Sequence, residues 1–202
     1  MLRSAMEIIA EKGATGATLA EIGVAAGYSR GLPVERFGSK LGLLNALMDF
    51  MEDWFARRVQ KAVEGKSGMA AVRARINAHI DSACESPPAT AALYSIFVDS
   101  ICALPELQPR TQSMSESYHR GFRQHLEEAR RDGELRRDVD CGKAACVIVG
   151  VLRGLIIQSL LDGGAAHLTA SRAQLISMVE VGLANNAAPT RKRRTSLERR
   201  QE

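Results

Sequence analysis

TLAEIGVAAGYSRGLPVERF, residues 18–37, is the stretch that decides the fold of this chain. Thr18 is a candidate cap for a helix, and Glu21, three residues later, completes a capping box. Apolar residues then recur at helical spacing up to Gly27, a residue suited to the left-handed position that ends a helix. Ser29 is predicted to cap a second helix that ends near the close of the stretch. The stretch therefore predicts two short helices joined by a tight turn.

Two short amphipathic helices joined in this way form the helix-turn-helix pattern, whose second helix enters the DNA major groove. The second predicted helix carries Arg30 in its first turn and Arg36 near its end. Both are expected to reach base edges or phosphates, because arginine pairs bidentately with guanine. Leu32, Pro33 and Val34 are predicted to contact thymine methyl groups. The alternative for each arginine is a solvated surface charge.

Phosphate groups are expected to meet the polar residues beside the helix starts. Helix N-termini present free N–H groups to anions, and Thr18, Ser29 and Lys40 each stand at such a start. Tyr28 adds a second polar group where a helix-turn-helix approaches phosphate. With Gly31, these residues complete the predicted DNA-binding set.

The run AEKGATGATLAEIGVAAGYSRG, followed by FGSK at 37–40, resembles the DNA-binding domain of TetR-family transcriptional repressors. The resemblance extends from residue 1 to about residue 47. The residues that carry it, in order and spacing, are Ala10, Gly13, Thr18, Ile22, Ala26, Gly27, Ser29, Gly31, Phe37, Ser39, Lys40 and Leu44. It implies an all-α fold with an N-terminal three-helix helix-turn-helix domain and a C-terminal helical domain for ligand binding and dimerisation.

Three residues of the predicted recognition helix depart from the family pattern S-K/R-G-T-L-Y-H-H-F. Val34 stands where most relatives have a tyrosine that touches phosphate, Glu35 follows it, and Pro33 lies inside the helix. A carboxylate is repelled by phosphate, although it can accept a bond from cytosine N4. A second hypothesis therefore stays open, a helical small-molecule-binding dimer with a degenerate DNA-binding head.

Helical periodicity continues along the rest of the chain, without strand-like alternation or an internal repeat. Helices are predicted over 2–12, 41–63, 70–85, 89–104, 108–132, 141–162 and 169–184, with glycines and prolines at their ends. The predicted organisation is a DNA-binding domain over 1–47, an effector-binding and dimerisation domain over 48–186, and a basic tail over 187–202.

The segment from Gly133 onwards carries the family resemblance a second time. A G-x-L-x-x-D-x-D turn precedes an apolar helix in which Gly150 and Gly154 leave room for another backbone. The resemblance implies a homodimer formed through the last two helices, about 141–162 and 169–184. Its two recognition helices would lie about 34 Å apart and bind a palindromic operator. The sequence favours a repressor by resemblance and does not separate it from an activator.

An unknown small-molecule effector is implied among the long helices of the second domain. The candidate residues are Trp54, Phe55, His79, Tyr94, Phe97, Tyr118, Phe122 and Arg153. Plain core packing is the alternative for each of them. Arg153 is the exception, because a charge in an apolar helix needs a partner, either an acidic effector or a carboxylate of the protein.

Composition is that of an ordinary globular protein, with 46% hydrophobic and 25% charged residues among 202. Residues 189–202 hold six basic and two acidic side chains, which equals the net charge of +4 of the whole chain. We expect a solvated, disordered tail. The alternative is a tail that adds nonspecific attraction to phosphate.

Several classes of function are disfavoured by the absence of their motifs. The four histidines and four cysteines lack the spacing of a metal site, and no phosphate-binding or nucleophile motif occurs. We therefore expect no enzymatic activity, no cofactor and no metal. No apolar run is expected to reach the roughly 18 residues of a membrane helix, since Arg153 interrupts the best candidate. Without a predicted leader, a cytoplasmic protein is expected.

Overall fold

The computed structural model describes residues 1–161 and 164–185, and within these ranges the fold is all-α, as predicted. The helices are α1 Leu2–Gly16, α2 Leu19–Ala25, α3 Leu32–Phe37, α4 Lys40–Val63, α5 Gly68–Glu85, α6 Pro87–Cys102, α7 Gln108–Arg131, α8 Cys141–Leu161 and α9 Ala165–Leu183. A short 3-10 helix, Pro105–Leu107, leads into α7. The predicted basic tail, 187–202, lies outside the described residues, as does Asp162 at the predicted end of α8.

Capping and breaking residues place most helix ends where they were predicted. Ser39 caps α4 by accepting a hydrogen bond from Gly42 N at 3.1 Å. Asp140 accepts from the first backbone N–H groups of α8, which lowers the pKa of its carboxyl group. Three starts in the body differ. Helix α5 begins two residues early, at Gly68, and α6 begins two residues early, at Pro87, since proline is tolerated at a first helical position. Helix α9 begins four residues early, at Ala165.

Two apolar cores hold the helices together. One lies among α5, α7, α8 and α9 and includes Ile76, Phe122 and Leu152. The other joins the N-terminal helices to α6 and the start of α7, through residues such as Ile9 and Ile96. Because α4 also runs through the predicted border at 47/48, the N-terminal helices share their core with the body of the protein.

Polar contacts tie the end of α1 to α6. Gly13 takes a positive φ of 75° and kinks α1. Beyond the kink, Ala14 N donates to Ser95 Oγ at 2.9 Å, and Thr15 N and Oγ1 both donate to Asp99 Oδ2 at 3.0 Å. A movement of α6 would therefore be transmitted to the residues just before α2.

The apolar helix α8 corrects the expectation about membrane spans. The helix has 21 residues, and an 18-residue window of it has a mean hydropathy of 2.1, so α8 is long and apolar enough to cross a membrane, and Arg153 does not prevent this. Only 28% of that window is buried inside the chain. Within a single chain, α8 is therefore covered on one side only, although an apolar helix is normally buried all round.

Candidate nucleic-acid interface and effector pocket

The start of α2 is fixed by the predicted capping box. Thr18 Oγ1 accepts from Glu21 N at 3.3 Å, while the Glu21 carboxylate accepts from Thr18 N at 3.2 Å and from Thr18 Oγ1 at 2.8 Å. Lys12 donates to the same carboxylate at 2.7 Å. The Lys12 contact, followed by those of Thr18, holds the pKa of Glu21 at about 2. Thr18 thus stays exposed at a helix N-terminus whose orientation is fixed.

The recognition helix α3 starts later than predicted. Ser29 Oγ accepts from Leu32 N at 3.2 Å, but the residue that caps the helix is Gly31, and Pro33 occupies its second position. The prediction that Arg30 lies in the first turn is therefore wrong. Proline lacks an N–H and is tolerated in the first turn of a helix, where that group would have no partner, and Pro33 falls in the first turn of α3.

Pro33 also corrects the prediction of a thymine contact, because its ring is buried. A Cβ added at Gly23 of α2 would lie 3.0 Å from Pro33 Cδ and 2.6 Å from the carbonyl oxygen of Ser29. Gly23 is thus the residue that lets the turn and α3 approach α2 closely. Pro33 sets the angle of α3 and is not available to a base.

The outward side of this turn and of α3 carries most of the predicted DNA-binding residues. Leu32 is half-buried, and the exposed residues are Tyr28, Ser29, Arg30, Gly31 and Arg36. Val34 and Glu35 are exposed beside them. The surface is only weakly basic, since residues 1–47 contain five basic and four acidic side chains.

Lys40 has a partner inside the chain. Its Nζ donates to the carbonyl oxygen of Thr15 at 2.5 Å, which joins the start of α4 to the end of α1. A phosphate contact from Lys40 stays a prediction, and it would compete with this bond.

An inner chamber of about 90 Å³ lies among α4, α5, α6, α7 and α8. Five of the eight predicted effector residues line it, namely Trp54, Phe55, His79, Tyr94 and Tyr118. The rings of Phe55 and Tyr118 stand edge-on to that of His79, with centroids 4.5 and 5.6 Å from it. Phe122 lies behind His79 in the core, fully buried. Contact of these residues with an effector stays a prediction.

Arg153 has no carboxylate partner within the described residues. Its guanidinium donates to Ser115 Oγ at 3.0 Å and lies over the ring of Phe97, 5.0 Å from the centroid. Neither Arg153 nor Phe97 lines the inner chamber. The sequence left two partners open for Arg153, an acidic effector or a carboxylate of the protein. Within this chain its contacts are instead a hydroxyl group and an aromatic face.

A wider cleft of about 690 Å³ opens between the DNA-binding head and the body. The head contributes Tyr28, Arg36 and Phe37, and α4 contributes Phe50 and Trp54. The sequence had not predicted this cleft, since nothing in the local pattern places α3 near the start of α6. It had also missed Ser95 and Asp99, although Asp99 is the only charged residue of α6 and could have been noticed for that reason.

Comparison with protein families gives two matches. The model described as Bacterial regulatory proteins, tetR family, matches residues 1–47. The model described as Tetracyclin repressor-like, C-terminal domain, matches residues 68–175, which is more than half of the chain. No curated protein matches significantly.

Many solved structures share the fold. A TetR transcriptional regulator from Chloroflexus aurantiacus is similar with a TM-score of 0.79 and 19% identity, over 91% of this chain and 93% of that one. FadR from Bacillus subtilis, in complex with stearoyl-CoA, gives 0.77 and 18% over 90% and 96%. PfmR from Thermus thermophilus gives 0.72 and 23% over 91% and 98%. At these identities the similarity concerns the fold.

Proposed function

Because the chain belongs to the TetR family of bacterial DNA-binding transcriptional regulators, we propose that it is a repressor controlled by a small-molecule effector. It binds a palindromic operator as a homodimer and works in the cytoplasm, where its DNA is. The observation that carries this proposal is the exposed, arginine-bearing side of α3, held at a fixed angle by the buried Pro33.

The DNA contacts follow from the exposed residues of the turn and of α3. Arg36 lies within α3 and is our candidate for base recognition, whereas Arg30 lies in the preceding turn and is our candidate for a phosphate contact. Thr18 presents the N-terminus of α2, and Ser29 presents its hydroxyl group, to the same phosphate backbone of the DNA.

The dimer contact is supported by an apolar face of α8 that the chain leaves uncovered. This face, the α8 face, consists of Val147, Gly150, Val151, Gly154, Ile157 and Leu161. A Cβ added at Gly150 or Gly154 would meet nothing within 4 Å in the chain. Met178 and Val181 of α9 are 61% and 71% exposed. Large uncovered apolar surface marks an interaction site, and a second copy covers it in our proposal.

Effector control requires different effector affinity in two states of the protein. The contacts of Ser95 and Asp99 with the end of α1 offer a route, since α6 lines the inner chamber and holds the residues that precede α2. In our proposal the effector favours a state in which the two recognition helices no longer match the spacing of the half-sites.

Selection from random DNA duplexes by the purified protein tests the function. We expect enrichment of one palindrome, with affinity lost in Arg36→Ala and a salt dependence that reflects the phosphate contacts. A variant that lacks 187–202 serves as the control for nonspecific attraction. Absence of enrichment, with only weak binding that depends on the tail, would refute the repressor and favour the degenerate head, which Val34 and Glu35 motivate.

A further inference from the structure

The cleft between the DNA-binding head and the body has room for a ligand, whereas the inner chamber does not. A cavity that holds benzene has about 150 Å³, and the inner chamber has about 90 Å³. The cleft has about 690 Å³, and small-molecule sites usually have about 300–1,000 Å³. Pro88 and Ala89 of α6 line the cleft, so a ligand there would also touch the helix that holds the end of α1.

The walls of the cleft are largely apolar and partly uncovered. Leu2 and Met6 of α1 form one side, and Trp54 lies across from them on α4. Phe50, also on α4, is 44% exposed, and Tyr28 of the head is 51% exposed. A concave apolar surface that stays open to solvent is typical of a binding site. The walls therefore suit a ligand with an apolar body.

The charged groups in the walls leave one cation without an acidic partner. Glu85 is paired with Arg58. Glu7 stands one helical turn after Arg3 on α1, so these two charges offset each other. Arg36 has no carboxylate partner within the described residues, and its guanidinium lies over the ring of the next residue, 5.7 Å from the centroid. The remaining positive charge favours an anionic group on the ligand.

We propose that the cleft binds an amphiphilic carboxylate with an apolar chain. Its carboxylate pairs with Arg36, since the guanidinium fork matches a carboxylate, and its chain lies against Phe50 and Trp54. An arginine held in this way is not free to contact a base, so ligand and operator compete for one side chain. The inference rests on the proposed function in one respect, that Arg36 contacts the operator.

A cationic ligand fits the same walls less well. To bind it, Glu85 would have to give up Arg58, which also donates to Ser82 Oγ at 3.2 Å. Glu7 is exposed on α1, and Arg3 beside it would repel the same cation. The acidic groups of the cleft are thus already compensated, whereas the guanidinium of the recognition helix is not.

Three probes of equal chain length, added to the full-length protein, test the charge of the ligand. Trp54 is the single tryptophan of the chain and lines the cleft, so its fluorescence reports occupancy, and calorimetry gives the affinities. We expect decanoate to bind about fivefold tighter than decanol, as for an ion pair that stays partly exposed. Decylamine, a cation, should bind more weakly than decanol. Octanoate should lose up to about fourfold for each of its two missing methylenes.

Two pairs of variants locate the ligand. Arg36→Gln should remove the preference for decanoate over decanol, whereas Arg30→Gln, at an exposed position outside the cleft, should keep it. Phe50→Glu puts a carboxylate in place of an apolar ring and should abolish the binding of decanoate. Val98→Glu makes a similar exchange at an exposed position of α6 outside the cleft and should leave that binding unchanged. The arginine pair decides the point alone if Phe50→Glu does not fold.

Operator titration in the presence of the probes tests the competition. At about ten times its Kd, decanoate should raise the apparent Kd of the operator at least about tenfold. Decanol at the same occupancy leaves Arg36 without an anionic partner and should raise this Kd less. In Phe50→Glu, decanoate should leave the operator affinity unchanged. An operator Kd that does not respond to saturating decanoate would refute the competition.

Other outcomes would also overturn the inference. Equal affinity for decanoate and decanol, or tightest binding of decylamine, would refute an anionic ligand. A preference for decanoate that is lost in Arg3→Gln and kept in Arg36→Gln would place the carboxylate on α1. The binding measurements need no DNA, so a protein that selects an operator but binds no decanoate would refute this inference alone. One that binds decanoate through Arg36 but selects no operator would refute the proposed function alone.

Discussion

The imidazole of His79 is buried without a charged partner, and this makes the stability of the fold depend on acid. Burial, with the nearby charges of Arg75 and Arg153, lowers its pKa from 6.5 to about 4, although the bond to the Arg75 carbonyl opposes the shift. Between pH 6.5 and about pH 4, the unfolded chain therefore binds a proton on this imidazole and the folded chain does not. The stabilisation is complete above pH 6.5 and is lost as the pH falls towards 4.

We expect this single group to account for about 3 kcal/mol of unfolding free energy across that range. Urea unfolding of the unmodified protein and of His79→Phe, over the same series of pH values, measures the difference. The variant should show a flatter dependence, whereas His119→Phe should keep most of the slope. Parallel curves for the protein and His79→Phe would contradict a buried, neutral His79.

Arg30 and Arg36 are both exposed, but their positions predict different defects in DNA binding. Arg36→Ala should cost about 1–3 kcal/mol on the selected operator and relax the preference for one base pair. Arg30→Ala should weaken binding to all sequences and reduce the salt slope by about one. Titration of operator and scrambled duplexes at several salt concentrations separates the two roles. If the salt slope changes in Arg36→Ala alone, then Arg36 contacts phosphate and Arg30 is the candidate for base recognition.

At the scale of elements, the angle between α2 and α3 depends on the missing side chain of Gly23. In Gly23→Ala the new Cβ would lie 2.6 Å from a backbone oxygen, which cannot move away as a flexible side chain can. We expect about 1–3 kcal/mol of lost stability and a loss of operator binding. Gly31→Ala is the matched control, because a Cβ there meets nothing within 4 Å and its φ is −85°. Thermal unfolding of both variants gives the comparison, and an equally stable Gly23→Ala would refute the close packing.

The elements themselves could be predicted because their signals are local. Thr18 with Glu21, Ser39 with Gly42 N, and the positive φ of Gly27 each involve residues within a few positions of one another. The start of α3 was missed because the Ser29 hydroxyl binds Leu32 N from the turn, and the close approach of Pro33 to Gly23, which accompanies this arrangement, is not visible in a local pattern. Ser29 Oγ does accept a hydrogen bond from Leu32 N, but this bond stabilises the turn before α3, and Ser29 is not the residue that caps the helix.

The site was predictable only in its residue types. Aromatic side chains at helical spacing correctly predicted five residues that line the inner chamber. The same spacing also predicted Phe122, which packs in the core. The burial of His79 depends on the rings of Phe55 and Tyr118, which come from other helices, and this is a long-range property. The cleft could not be predicted either, because it forms between α3 and helices that follow much later in the chain.

For the whole molecule, the exposed apolar side of α8 is the feature with the largest consequence. Hydrophobicity alone would allow α8 to cross a membrane, yet one side of it belongs to a core shared with α5, α7 and α9. A second copy of the chain can cover the α8 face, on the other side of the helix, without removing α8 from that core. Since two recognition helices are needed for a palindrome, dimerisation and operator affinity should fail together.

Val147→Arg tests this link, because the side chain is 64% exposed in the single chain and the folded monomer should tolerate the change. A guanidinium buried in the dimer contact costs several kcal/mol, so we expect the dimer Kd to rise at least about a hundredfold. Val98→Arg on α6, at a position that is 55% exposed, is the matched control and should remain dimeric. Light scattering gives the mass and operator titration gives the affinity. If Val147→Arg stays dimeric, or if it becomes monomeric with full operator affinity, the partner does not bind through α8 and the recognition helices are paired by another surface.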